Sequence, residues 1–250
     1  MPFAVQAHDT TDSFDANPGM ISDLEIARSP WSADIAPEAA AQLLSDAYRS
    51  AAAQPDFKTI LQFKKKSMLH AEVLIFLRYL AAITIGPILE LGAYFGGSTT
   101  MLAKGVREPG KLIALEPGGS FLTHPDIPSE NIYADLEQTL QDHKVRDRVT
   151  LLKMASWEEG SKREITEQLQ GQEIALLCID SDGHVGRDIE LYRPLCAPGC
   201  ILVVDDFVTS GVDVCHKSDH VKPYIIDALA NRSLVEFGVY GWGTWFGRLA

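Results

Sequence analysis

Short continuous apolar runs recur along the chain, separated by stretches of mixed polarity. Residues 88–91, 111–116, 149–153, 174–179 and 201–204 are such runs. Strands buried on both faces of a parallel sheet read this way, without alternation. Helical patterns lie between and around them, over residues 68–83, from Ser98 or Thr99 to about 105, and over about 130–143, 187–195 and 223–230. Ser67 is placed to cap the first of these, and Ser98 or Thr99 the second. Pro37 suits the first turn of an Ala-rich helix to about residue 53, with Leu43, Leu44 and Tyr48 on its apolar side. Residues 233–239 and 243–249, around Gly241-Trp242, form a closing hairpin. Strands alternating with helices predict an α/β protein with a doubly wound, mostly parallel seven-stranded Rossmann-like sheet. The hairpin adds antiparallel strands at one edge. Residues 1–66 form an N-terminal arm and helical cap, and 67–250 the main domain.

Composition narrows the partners. The 250 residues are 46% hydrophobic and 22% charged, a globular balance. Net charge is −12, and no basic patch suits a nucleic acid. Residues 1–56 hold nine acids against Arg28 and Arg49, which reads as a solvated face, as does Lys64-Lys65-Lys66. No apolar run reaches membrane-spanning length without a charge; the most apolar region, 74–85, contains Arg78. No basic-then-apolar leader opens the chain. Cys178, Cys196, Cys200 and Cys215 match no zinc spacing, so a reduced, cytoplasmic protein is expected, with a homo-oligomer left open.

Candidate chemistry gathers at the ends of the apolar runs. After Ile88-Leu-Glu-Leu91 comes Gly92-Ala-Tyr-Phe-Gly-Gly-Ser98, a strand, glycine turn and helix start of the kind that holds nucleotides. The dinucleotide fingerprint fails because Tyr94 stands where its second glycine belongs. The triphosphate loop fails because Ser98 replaces its lysine. Glu116 ends the second strand, where an acid can accept ribose hydroxyls. Ser156 and Trp157 sit at the exit of the third, where an adenine can rest. Asp180 ends the fourth strand, and Asp205-Asp206 end the fifth. Three carboxylates converging there repel one another without a cation, and hard oxygen ligands favour Mg²⁺, Mn²⁺ or Ca²⁺. Asp182 and His184 follow Asp180 closely enough to act as a base on a metal-bound hydroxyl. His216 and His220 fall in the next loop, facing solvent.

Glu90-Leu-Gly-Ala-Tyr-Phe-Gly-Gly-Ser98, Ile179-Asp-Ser-Asp-Gly-His184 and Val203-Val-Asp-Asp-Phe207 together resemble class I S-adenosylmethionine-dependent methyltransferases. The likeness is nearest to the metal-dependent group of macrocin-type sugar O-methyltransferases and the so-called cephalosporin hydroxylase family. It covers roughly residues 60–207. The resemblance implies that Glu90 faces the methionine ammonium, and that Gly92, Ala93, Tyr94, Ser98, Glu116, Ser156, Trp157 and Asp180 surround the cofactor. It implies that Asp180, Asp205 and Asp206 hold Mg²⁺ and that Asp182 or His184 is the base. Family members often read Asp-x-Asp-His, whereas Gly183 intervenes here. The implied activity is metal-assisted methyl transfer to a hydroxyl of a small molecule, a sugar or natural-product scaffold. A metal-independent methyltransferase, a metal-dependent hydrolase and a non-catalytic cofactor-binding protein are the alternatives.

Overall fold

The computed structural model describes residues 66–124, 126–208 and 216–250, with Gln42, Asp46, Arg49 and Ala53 as isolated positions. Gln42, Asp46 and Arg49 are helical, in keeping with the Ala-rich segment. The rest of that segment, the arm 1–33, Lys64-Lys65 and Cys215 lie outside the described residues.

The order of elements is α1 (Ala71–Ile83), β1 (Ile88–Leu91), α2 (Gly97–Gly105), β2 (Leu112–Leu115), α3 (Ile132–Asp142), β3 (Val149–Leu152), α4 (Ser161–Leu169), β4 (Ile174–Ile179), α5 (Val185–Tyr192), β5 (Cys196–Val204), α6 (Ser218–Ala230), β6 (Leu234–Tyr240) and β7 (Thr244–Leu249). The strands form one sheet in the order β3-β2-β1-β4-β5-β7-β6. β1 to β5 pair in parallel, and β7 pairs antiparallel with both β5 and β6. The expected doubly wound sheet with its edge hairpin is therefore present.

Alternation along each strand divides the core in two. Ile88, Leu112, Ala114, Leu176, Cys178, Ile201 and Val203 pack on one face with residues of α1, α2 and α3. Leu89, Leu91, Ile113, Leu115, Leu177, Ile179, Leu202 and Val204 pack on the other with α4, α5 and α6. Both faces are covered, which is why the strands read as unbroken apolar runs.

Several boundaries differ from expectation. α1 begins at Ala71, and its cap is His70, whose Nδ1 accepts from the Glu72 amide at 3.3 Å. Ser67 instead accepts from the Leu69 amide at 3.1 Å, closing the turn ahead of the helix. α2 is capped by Gly96 in a left-handed conformation with no side-chain bond, so neither Ser98 nor Thr99 serves as its cap. α4 was not expected: its sequence is polar, and of its hydrophobic residues only Ile165 and Leu169, four apart, are buried. β5 starts at Cys196 and runs through Pro198-Gly199, which reads as a turn; its pairing with β4 is irregular between Ile174 and Leu176. α6 starts at Ser218, so Pro223 lies inside the helix instead of opening it.

Candidate active site

The carboxyl ends of the parallel strands lie along one edge of the sheet. β1 and β4 are neighbours, and the chain winds outward from them in opposite directions, to β2 and β3 on one side and to β5 on the other. Ligands of doubly wound sheets bind at such a switch point. Leu91 pairs with Ile179 and Ile179 with Val204, so Gly92, Asp180 and Asp205 leave three adjacent strands side by side. A pocket opens there, lined by Leu69, Glu90, Gly92, Ser98, Asp180, Asp205 and Thr244 among others.

Glu90 lies within β1, on the face covered by α1 and α2, between Ala114 and Cys178 in register. It is 2% exposed, and neither carboxylate oxygen has a hydrogen-bond partner of normal geometry. Burial pushes its pKa up to about 7; the nearby Ser98 and Thr99 hydroxyls oppose the rise, and Asp180 and Glu116 add to it. A buried carboxylate without a donor is costly unless a ligand supplies one.

Glu116 follows β2 and is also buried. Its Oε2 accepts the Tyr94 amide at 2.8 Å and its Oε1 the Gly118 amide at 2.9 Å. It thus ties the glycine turn to the exit of β2, and each oxygen retains a second lone pair. Burial raises its pKa, against the pull of those two amides. Tyr94 has φ 45° and donates its hydroxyl to the Ile127 carbonyl at 2.7 Å. Ala93 is buried beneath the turn.

Gly92 is required to be glycine by packing within the protein. With φ 90°, a Cβ there would meet the Asp180 carbonyl oxygen at 2.0 Å. The close approach that requires glycine is to the protein's own β4 exit.

Ser156 and Trp157 are both near the exit of β3, but their side chains are engaged elsewhere. The Ser156 hydroxyl donates to Asp188 at 2.8 Å, and its carbonyl accepts the Tyr192 and Ser161 hydroxyls. Trp157 is 47% exposed, with the Arg187 guanidinium 4.3 Å above its ring.

Asp180, Asp205 and Asp206 do converge: one oxygen from each lies within 4.8 Å of the others. Sequence reasoning missed what sits among them. Lys217, one residue before α6, brings Nζ to 3.2 Å from Asp206 and 3.5 Å from Asp180. Asp205 accepts the Thr244 hydroxyl at 2.5 Å. Burial works against the charge on Lys217, but the carboxylates of Asp180 and Asp206 outweigh it and hold the pKa above the ordinary lysine value. Burial, then the charges of Asp180 and Asp206, push Asp205 up to about 8. The donor set is of the right chemistry for a hard divalent cation. The Lys217 ammonium, lying against two of the three carboxylates, already supplies one positive charge to this cluster.

The two base candidates are set apart by their partners. Asp182 accepts a two-pronged bond from Arg187, at 3.0 and 2.9 Å. Burial alone would raise its pKa, but the Arg187 fork and the His184 amide outweigh that and hold it below the usual carboxylate range. His184 is exposed and stacks on His220 of α6, with ring centroids 5.0 Å apart. The two loops that carry these groups, after β4 and before α6, meet at Gly183 and Lys217.

Lys217 and Thr244 carried no spacing signal. Thr244 was accessible in principle: pairing of Val204 with Trp245 brings it beside Asp205, once β7 is known to neighbour β5. Lys217 follows a stretch whose length alone places nothing.

A family model described as a methyltransferase domain matches residues 89–207. That segment runs from β1 through the Asp205-Asp206 pair. No curated protein matches the chain. Among solved structures, an O-methyltransferase from Bacillus cereus in complex with SAH is similar at 17% identity and TM-score 0.54, covering 84% of this chain and 90% of that one. The O-methyltransferase TomG from Streptomyces achromogenes, involved in tomaymycin synthesis and in complex with SAM, gives 17% and 0.52, with 84% and 89% covered. The SAH-bound methyltransferase PaMTH1 of Podospora anserina gives 17% and 0.52, with 83% and 88% covered. Residues 89–207 thus match a methyltransferase-domain model, and the sheet around them has the fold of these solved methyltransferases.

Proposed function

We propose that the chain is an S-adenosylmethionine-dependent O-methyltransferase acting on a hydroxyl of a small molecule, a sugar or natural-product scaffold. One observation carries the reading: the buried Glu90 carboxylate, without a hydrogen-bond partner of its own, faces the pocket at the switch point. It suits a cationic ligand, and the methionine ammonium is one. Glu116 has lone pairs left for ribose hydroxyls, one edge further along the sheet. The solved relatives in complex with SAM or SAH have the same fold, which supports the cofactor assignment.

When bound, S-adenosylmethionine supplies an electrophilic methyl group on sulfur. The chain's own residues do the rest. Glu90 and Glu116 fix the two ends of the cofactor, with the Gly92–Ser98 turn between them; Ser156 and Trp157 offer the adenine only backbone and an exposed ring edge. Asp180 and Asp205 line the acceptor side of the pocket, with Lys217 paired to Asp180. Their main contribution is to hold the acceptor oxygen in line with the methyl group. His184 takes the hydroxyl proton; Asp182, paired with Arg187, holds the loop that presents it. No step is routed through a metal, since Lys217 already stands against two of the carboxylates that Mg²⁺, Mn²⁺ or Ca²⁺ would use. Among the described residues no helix is long and apolar enough to cross a membrane, and Cys178, Cys196 and Cys200 are free thiols; the cytoplasmic setting is part of the proposal. The division into an arm and cap (1–66) and a catalytic domain (67–250) belongs to the same proposal.

The test is methyl transfer from S-adenosylmethionine labelled in its methyl group to a panel of hydroxylated small molecules, with amine acceptors as controls. Label in a methyl ether supports the reading. Label in the amines alone would contradict it.

A further inference from the structure

We propose that Lys217 is the resident cation of the Asp180–Asp205–Asp206 cluster, filling the place of a divalent metal and leaving the site independent of added metal. The consequence for methyl transfer rests on the function proposed above; the occupancy of the cluster does not.

Three features of the geometry point to it. Lys217 lies close to two of the three carboxylates at once, at 3.2 Å from Asp206 and 3.5 Å from Asp180. Its side chain is only 19% exposed, and those of Asp180 and Asp206 are 25% and 30% exposed, so the charges meet largely out of water. The surrounding backbone is shaped to admit the lysine. Gly183 has φ 87°, and a Cβ there would stand 2.9 Å from the Lys217 Cβ and 3.0 Å from its Cα. Any other residue at 183 would push the lysine away. Asp206 itself has φ 60°, a left-handed conformation that aspartate tolerates better than most residues. The third carboxylate, Asp205, accepts the Thr244 hydroxyl on one oxygen. A divalent ion drawing ligands from all three would have to displace the ammonium.

Lys217 is accordingly a positioning residue. It holds Asp180 at the pocket wall and keeps two like charges together at the end of β4 and β5. A lysine of merely structural value would leave metal affinity unchanged when removed; a lysine that fills a cation site creates a metal site when it leaves.

The experiment is titration of the full chain with Mn²⁺ alone, followed by electron paramagnetic resonance and calorimetry. The proteins are the natural one, Lys217→Met, Lys217→Gln and Lys217→Arg, each also titrated with S-adenosylmethionine. The natural protein and Lys217→Arg should bind Mn²⁺ weakly, at millimolar concentrations or above. Lys217→Met and Lys217→Gln should bind it at least tenfold more tightly. Should both neutral variants fail to fold, the natural protein still decides, since millimolar or weaker binding supports the proposal. Micromolar Mn²⁺ binding by the natural protein, or equal affinity in all four, overturns it. Loss of S-adenosylmethionine binding in every protein would count against the transferase reading and leave the Mn²⁺ contrast standing.

Discussion

Two carboxylates carry the proposed cofactor site at the residue scale. In that proposal Glu116 accepts ribose hydroxyls with lone pairs its two backbone donors leave free. Glu116→Ala should weaken S-adenosylmethionine binding by about 1–3 kcal/mol, the scale for hydrogen bonds to a charged group. Calorimetry reads it, with thermal unfolding as a check that the glycine turn survives. Glu90 makes a prediction about pH. Its pKa in the free protein is raised to about 7, and a cationic ligand favours its ionised form. Cofactor affinity should therefore rise as pH goes from about 6 to 8 and level off above, with proton release on binding at the low end. For folding the sign is opposite: a carboxyl whose pKa is raised in the folded state stabilises most below its unfolded value and loses that contribution as pH climbs through about 7. The ligand-free protein should lose stability across that window, and Glu90→Gln should flatten both profiles. A pH-independent affinity in the natural protein would remove Glu90 from the ligand site.

Sequence made these acids legible because each ends, or nearly ends, an apolar run, and a parallel sheet puts all such ends on one edge. It could not show what they bind. The partner of Asp180 and Asp206 comes from the far side of the following loop, and the partner of Asp205 from a strand running the other way. Nor could it show that Arg187, on the first turn of α5, pairs with Asp182.

At the scale of elements, α5 is held against the sheet by a polar cluster inside an otherwise apolar layer. Asp188 is fully buried and accepts from Ser156, Ser181 and Arg187. Asp188→Ala would leave the Ser156 and Ser181 hydroxyls without this acceptor and Arg187 with Asp182 alone, and should cost about 1–3 kcal/mol by chemical denaturation, the range for unsatisfied buried donors. A loss under about 1 kcal/mol would mean that water replaces the carboxylate. Gly92 is the joint between β1 and α2. Gly92→Ala should destabilise by at least about 1–3 kcal/mol through its positive φ, before the clash with Asp180 is counted. The glycine was visible in the sequence and its reason was not, since the atom it avoids lies 88 positions away, at Asp180. Strand positions came through well for the same reason that α4 did not. A buried parallel strand is apolar along its whole length, whereas a helix on the outer face of a sheet can pack through two residues.

At the scale of the whole molecule, six helices drawn from residues 71–230 already cover both faces of the sheet. Residues 1–33 carry Pro18, Gly19 and Pro30 and no helical or strand pattern in the sequence. Removing them should leave the unfolding midpoint and cofactor affinity unchanged, and an unfolded product would show that the arm belongs to the core. The central claim is that the switch-point pocket takes S-adenosylmethionine between Glu90 and Glu116. Titration calorimetry of the full chain with S-adenosylmethionine at pH 8, beside Glu90→Gln, tests it most directly. The account predicts one cofactor per chain, with affinity at least tenfold weaker in the variant; no binding by the natural protein, or equal binding by both, would contradict it.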